Sequence, residues 1–189
     1  MKRLLFILVL LAVSCSAQIL APVVTGGSSV AFAYYGYGCN GTSTNTCTVG
    51  GTDQTNASTF ALSAAFTTGS KTSAVACGVY LSGTPTGHNF KCAIYLNGAT
   101  EHAPVTNCGS ASTAAVAGWN EATLTGCTLS ASTAYVVAVL TDHADLYVRG
   151  DATGSNEYNG NFASYAAFPT LTGDWSTLGN TWSTYVKMQ

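Results

Sequence analysis

The sequence predicts an all-β protein, and three observations carry that reading. Charged residues make up 7% of the chain, against about 25% in an ordinary soluble domain, so the Lys, Glu and Arg that long solvent-exposed helices need are missing. Hydrophobic residues hold a normal 47%, and in several short runs they recur with the period of two that marks a half-buried strand. Between those runs lie clusters of Gly, Asn, Ser and Thr of the kind that make turns. Eight or nine antiparallel strands with such connections point to a sandwich or a barrel. The 189 residues fit one domain with a single core that buries about 70% of the unfolded surface.

The N-terminus has the three-part layout of a secretory signal peptide. Lys2 and Arg3 precede an unbroken apolar run over 4–13, and Ser14, Cys15, Ser16 and Ala17 are small. The run is too short to span a bilayer, which takes about 20 residues. A signal peptide over 1–17 is expected, with cleavage after Ala17 leaving 18–189 as a single β-sandwich domain. Leu11-Ala12-Val13-Ser14-Cys15 also fits a bacterial lipoprotein box, and a membrane is expected as a partner only if Cys15 is lipidated. Removing 1–17 leaves four basic against eight acidic residues, a net charge of −4. Too few cations remain for a basic stripe, which excludes nucleic acid as a partner. The high apolar content and small net charge exclude disorder.

Six cysteines remain beyond the signal: Cys39, Cys47, Cys77, Cys92, Cys108 and Cys127. An even number in an exported chain reads as three disulfides. No CxxC pair occurs, so zinc and thioredoxin-like readings have no support. Of the fifteen connectivities that six cysteines allow, nearest-neighbour pairing is preferred. Cys77 and Cys92 are equidistant from the turn at 82–87. A hairpin folded there would set them opposite one another, with Cα atoms about 4.5 Å apart. Cys39 and Cys47 would close a small loop, and Cys108 and Cys127 a longer one.

Along the chain, strands are expected at 28–37, 58–67, 71–81, 89–96, 120–129, 133–140, 146–149 and 181–188. In 71–81, Val75, Cys77, Val79 and Leu81 share one face; in 89–96, Phe90, Cys92, Ile94 and Leu96 point inward. The nearly continuous apolar run at 133–140 reads as the centre of a sheet. Trp182, Thr184, Val186 and Met188 share a face of the last strand. The polar stretch 38–56 reads as a long loop pinned by Cys39 and Cys47. The segments 101–118 and 151–160 read as mostly loop.

From Lys71 to Asp151 the chain resembles a jelly-roll module of phage tail and fibre proteins and of bacterial secreted or surface proteins. The residues that carry the resemblance are Ala93-Ile94-Tyr95, Gly118-Trp119, and Leu129 with 133–137. The resemblance implies a galactose-binding-like jelly-roll β-sandwich, used as an accessory binding or attachment module. It brings over no catalytic residue, and the Cys39–Cys47 loop lies outside it.

Candidate ligand-binding residues are aromatic. Sugars stack their apolar faces on flat rings, and amides and carboxylates beside the rings take up the hydroxyls. Tyr34, Tyr35 and Tyr37 lie together beside a Gly-rich loop; Tyr158, Tyr165 and Trp175 lie in a second polar region. Aromatics also fill cores, and Trp119 and Trp182, in or next to strands, read as core. Asp142, Asp145 and Asp151 offer oxygens of the kind calcium takes, although their spacing is not that of an EF-hand and an ordinary solvated loop explains them as well. Arg149-Gly150-Asp151 spells an adhesion tripeptide at what reads as a strand-to-loop junction; the motif means little without an animal context and reads as coincidence. Asn40-Gly41-Thr42 and Asn56-Ala57-Ser58 are N-glycosylation sequons. His88, His102 and His143 form no metal motif, no GxSxG elbow occurs, and no carboxylate pair is set by spacing.

The sequence therefore leads to the expectation of a secreted, non-catalytic recognition domain without a cofactor, calcium apart. Its expected partner is a glycan or cell-surface polymer, with self-assembly into a fibre, coat or virion decoration as the alternative and an unrecognised hydrolase as the third.

Overall fold

A computed structural model describes residues 31–42, 45–55, 60–62, 65–98, 101–152, 156–159, 165, 167–168, 170–172, 176–178 and 181–189. The expected signal peptide, Trp175 and the second sequon lie outside the described residues. Those described form strands and no helix. In chain order the strands are β1 Ala33–Gly36, β2 Thr52–Thr55, β3 Phe60–Leu62, β4 Phe66–Thr67, β5 Ser73–Gly83, β6 Asn89–Leu96, β7 Glu101–His102, β8 Pro104–Gly109 and β9 Thr113–Ala114. They continue with β10 Gly118–Thr128, β11 Ala134–Thr141, β12 Leu146–Asp151, β13 Asn156–Asn159, β14 Leu171–Thr172, β15 Ser176–Leu178, β16 Thr181–Trp182 and β17 Thr184–Met188.

Two antiparallel sheets are built from them. The first runs β1-β17-β5-β12-β16, with β10 on the far side of β5 and β2 on β12. The second runs β15-β13-β3-β11-β6-β8, with β4 on β11 and β9 on β6. β7 and β14 form a separate pair. The run at 133–140 is indeed central: β11 lies between β6 and the β3/β4 pair.

The strands are more numerous and shorter than the sequence reading. The runs at 58–67 and 181–188 are each broken in two. At the second break, Ser183 donates its N–H to the Arg149 carbonyl and accepts from the Tyr80 N–H, so the chain passes from β12 to β5 there. β2, β7, β8, β9 and β13 all fall in stretches read as loop. Their residues, such as TDQT, PVTNCG and NEYN, lack apolar alternation, so nothing marked them before their partners were known.

The alternation sets which side chains meet between the sheets. Cys77, Val79, Leu81, Leu124, Val148, Trp182 and Val186 of the first sheet pack on Phe66, Phe90, Cys92, Ile94, Tyr135, Val137 and Val139 of the second. Two expectations shift by one residue. Val75 is not in the core and Ala74 is, because the β5–β17 register slips there: Ala76 faces Lys187 and Ala74 faces Met188, which leaves Val75 as the extra residue of a bulge. Leu96 is 46% exposed, since β6 ends with it.

All three nearest-neighbour disulfides form, Cys39–Cys47, Cys77–Cys92 and Cys108–Cys127, which suits an oxidising environment. The geometry expected for Cys77–Cys92 is corrected, however. β5 and β6 do not pair; the turn between them crosses from one sheet to the other. The bridge therefore joins the two inner faces, with Cα atoms 6.2 Å apart and both cysteines fully buried. Cys108 on β8 and Cys127 on β10 tie the sheets again at one edge. Cys39–Cys47 holds its loop along β1: the Tyr34 N–H donates to the Thr42 carbonyl at 3.2 Å, and the Tyr34 carbonyl accepts from the Gly41 N–H at 2.9 Å. That edge is thus capped within the chain.

Replacing both Cys77 and Cys92 with Ala removes a crosslink between residues 15 apart. The double variant is expected to lose about 3 kcal/mol in urea unfolding. Non-reducing peptide mapping should return Cys77 joined to Cys92, and either residue joined elsewhere would refute the sheet arrangement.

Candidate functional site

The outer face of the first sheet gathers five aromatic residues. Successive strand residues point to opposite faces, so Tyr35, Val186 and Val79 turn inward while their neighbours turn out. Across β1, β17, β5 and β10 the outward set is Tyr34, Lys187 and Tyr185, Gly78 and Tyr80, and Trp119 and Glu121. Phe32 precedes β1 on the same side.

The rings form a continuous row. Tyr34 and Tyr185 meet edge to face with centroids 5.3 Å apart, Tyr185 and Trp119 are 5.1 Å apart, and Trp119 meets Tyr80 edge to face at 5.5 Å. Tyr185 lies over Gly78, where a Cβ would come within 2.2 Å of its Cζ. Only glycine lets the ring settle onto the sheet. Tyr185 is consequently buried, whereas Phe32, Tyr34, Tyr80 and Trp119 remain half exposed.

Polar groups sit in the middle of the row. The Tyr185 hydroxyl donates to Glu121 Oε2 at 3.0 Å, and Lys187 Nζ donates to Glu121 Oε1 at 3.0 Å. The ammonium also lies 4.7 Å from the Phe32 ring centroid, a cation–π contact. Burial, then the Glu121 charge, pushes the Tyr185 phenol far above its ordinary value. The hydrogen bond to Glu121 raises Lys187. At neutral pH Tyr185 is therefore a neutral phenol and Lys187 an ammonium. Beyond them Arg149 Nε pairs with Asp53 Oδ1 at 2.8 Å, and the Ser82 hydroxyl donates to the same Asp53 oxygen.

Of the ligand-binding candidates among the described residues, only Tyr34 belongs to this row. Tyr35 turns inward and packs against the core. Tyr37 donates its hydroxyl to Asp151 Oδ2. Tyr165 lies across the outer face of the second sheet, where with Phe168 it packs on Ala93, Tyr95, Val136, Ala138 and Leu140. It is held there by Ser112, 2.7 Å from its hydroxyl, and by Lys91, 4.6 Å above its ring. Tyr158 is on β13, opposite Ala61 and Ser176. Trp182 is core as expected, but Trp119 is not, because an outward position on β10 places it in the aromatic row. Phe32, Tyr80 and Tyr185 were passed over. The signal for Tyr185 and Lys187 was present: they alternate with Thr184 and Val186, which had been placed inward.

The acidic candidates do not come together. Asp151 accepts from Tyr37 and from the Gly51 N–H. Asp142 accepts from the Asn89 backbone N–H at 2.9 Å and from its side-chain amide at 2.8 Å. Asp145 lies beside His143, whose ring stacks on His88 at 4.1 Å. Among the described residues no group of three or more His, Cys, Asp or Glu could hold a metal ion. The adhesion tripeptide lies within β12 instead of opening a loop. Its Arg149 is bound to Asp53 and to the Gly51 carbonyl, Gly150 is buried, and Asp151 is bound as above. Asn40 of the first sequon is exposed and accepts from the Thr42 N–H and the Thr46 hydroxyl. His102 is buried, with Nδ1 donating to the Leu96 carbonyl.

No protein-family model matches the chain, and no curated protein or solved structure matches it. No helix among the described residues is long and apolar enough to cross a membrane.

Two predictions test this geometry. Gly78→Ala should lift Tyr185 from the sheet and cost about 1–3 kcal/mol in chemical denaturation; an unchanged midpoint would contradict the packing of that ring. The Tyr37–Asp151 contact should show in the pH dependence of stability. The Tyr37 hydroxyl, then the Gly51 N–H, holds Asp151 below the usual carboxylate range, and the Asp151 hydrogen bond raises Tyr37. The first contribution is present above about pH 3.9 and is lost as pH falls through the lowered value; the second is present below about pH 10 and is lost as pH rises through the raised value. The difference in urea midpoint between wild type and Asp151→Asn should be flat around neutrality and shrink on both flanks. A flat difference at every pH would contradict the contact.

Proposed function

We propose that this chain is an exported, non-catalytic recognition module that holds carbohydrate on the outer aromatic face of its first sheet. The observation that carries the reading is the row Tyr34, Tyr185, Trp119 and Tyr80, with centroid spacings of 5.1–5.5 Å. Such spacings are comparable to the length of one pyranose unit. Rings offer a sugar's apolar face a partner that water cannot match. Glu121 and Lys187, in the midst of the rings, offer an acceptor and a donor for hydroxyls. The face is open, and the described residues enclose no pocket, which suits a polymer lying across the sheet. Export is supported by the signal-like layout of 1–17 together with three disulfides. The jelly-roll resemblance of 71–151 supports the same class, since such modules bind or attach.

The test is a glycan array on the oxidised protein from Gln18 onward, with size-exclusion chromatography on the same sample. Trp119→Ala is expected to lower affinity about tenfold, as one well-placed ring contributes about 1–1.5 kcal/mol. Tyr34→Ala should also weaken binding, and Tyr165→Ala, on the other sheet, should leave it unchanged. Equal binding by wild type and Trp119→Ala would sink the assignment. So would retention of no glycan together with elution as a large assembly, which would instead favour a structural subunit.

A further inference from the structure

The same face says what kind of carbohydrate it takes. We infer that the ligand is an uncharged polysaccharide and that Glu121 is the residue that sets this preference, an inference that rests on the aromatic-face reading above. Lys187 in the row and Arg149 beside it each stand in an ion pair. Lys187 and Glu121 stand 3.0 Å apart in its centre, and Arg149 and Asp53 stand 2.8 Å apart at its margin. Each carboxylate is further engaged by a hydroxyl, Tyr185 on Glu121 and Ser82 on Asp53.

The consequence for an acidic sugar follows from the placement of Glu121. The face has a cation that could attract a uronate or a sulfate, and Phe32 and Tyr34 flank it. Any anion approaching Lys187, however, also approaches the Glu121 carboxylate, which contacts the ammonium through both oxygens at 3.0 and 3.3 Å. The anion must give up hydration beside a like charge and displace an existing partner, an unfavourable exchange. A neutral sugar meets no such opposition: its hydroxyls can share donors and acceptors with the pair while its ring lies on Tyr34 or Trp119. A neutral sugar also carries no charge for salt to screen, so its binding should not depend on salt. Lys71, which donates to the Ala31 carbonyl just before Phe32, belongs to neither pair and serves as a control.

The experiment is biolayer interferometry on immobilised hydroxyethylcellulose, polygalacturonate and chondroitin sulfate, in low and in high salt. Wild type should bind hydroxyethylcellulose equally in both salts and bind the two polyanions at least about tenfold more weakly. Glu121→Gln keeps an acceptor for Tyr185 but frees the ammonium. Relative to its own binding of hydroxyethylcellulose, it should gain about tenfold on polygalacturonate in low salt, with the gain lost in high salt. Lys187→Met should show no such gain, and Lys71→Met should behave as wild type. Tighter wild-type binding to the polyanions, still abolished by Trp119→Ala, would overturn the inference and leave the aromatic-face reading standing. So would a folded Glu121→Gln that gains nothing. Failure of wild type on all three surfaces would overturn the aromatic-face reading and this inference with it.

Discussion

The arrangement of the sheets depends on one covalent contact, the Cys77–Cys92 bridge through the middle of the core. It joins the inner face of β5 to that of β6. A disulfide spans only a few ångströms between Cα atoms, so the faces on which the two cysteines sit must oppose one another. Once they do, the period of two assigns the other side chains on those strands. Val79, Leu81, Phe90 and Ile94 must meet between the sheets, and Gly78, Tyr80, Ala93 and Tyr95 must face away. The second inter-sheet bridge, Cys108–Cys127, repeats the constraint at an edge. A chain with so few ion pairs draws on these crosslinks to restrict its unfolded state.

The two outer faces solve their exposure differently. On the second sheet an apolar patch faces outward, and Tyr165 and Phe168 lie across it. On the first sheet the described residues bring no such cover, and the outward residues are aromatic rings that pack on one another. Gly78 is the point where this packing touches the backbone. Its missing Cβ lets Tyr185 lie down on β5, and Tyr185 in turn orients its hydroxyl at Glu121. The rings need no cleft to hold them in place, because the sheet itself keeps them in register.

Much of this was legible in the sequence, in proportion to how local its physical cause is. Strands buried on one face announce themselves by alternation, as 71–81, 89–96 and 181–188 do, and a strand buried on both faces by a continuous apolar run, as 133–140 does. Nearest-neighbour disulfides follow from spacing. What could not be read was which strands pair. The hairpin inferred for Cys77 and Cys92 had the correct partners but assumed one sheet where the chain crosses between two. The bulge that moves Val75 out and Ala74 in arises from a slip against β17, more than a hundred residues away in sequence. The candidate site was missed for a related reason. Tyr34, Tyr35 and Tyr37 were grouped by adjacency, yet adjacency in a strand separates side chains. Tyr34 belongs with Tyr185 and Trp119, which only strand pairing brings to it.

The scarcity of charge, first read as an argument against helices, takes on a second meaning on the folded sheet. Charges this few could have been spread singly over the surface, where each would be solvated and contribute little. On the first sheet they instead stand in contact, Lys187 with Glu121 and Arg149 with Asp53. Each pair is also tied to a hydroxyl of a neighbouring strand, Tyr185 on β17 and Ser82 on β5. Pairing of this kind costs the long side chains their freedom and brings modest stability at a half-exposed surface. Its clearer effect is on what the face presents: rings, hydroxyls and charges held in pairs. On the carbohydrate reading proposed above, such a surface would select by shape and by the apolar faces of what lies on it more than by charge.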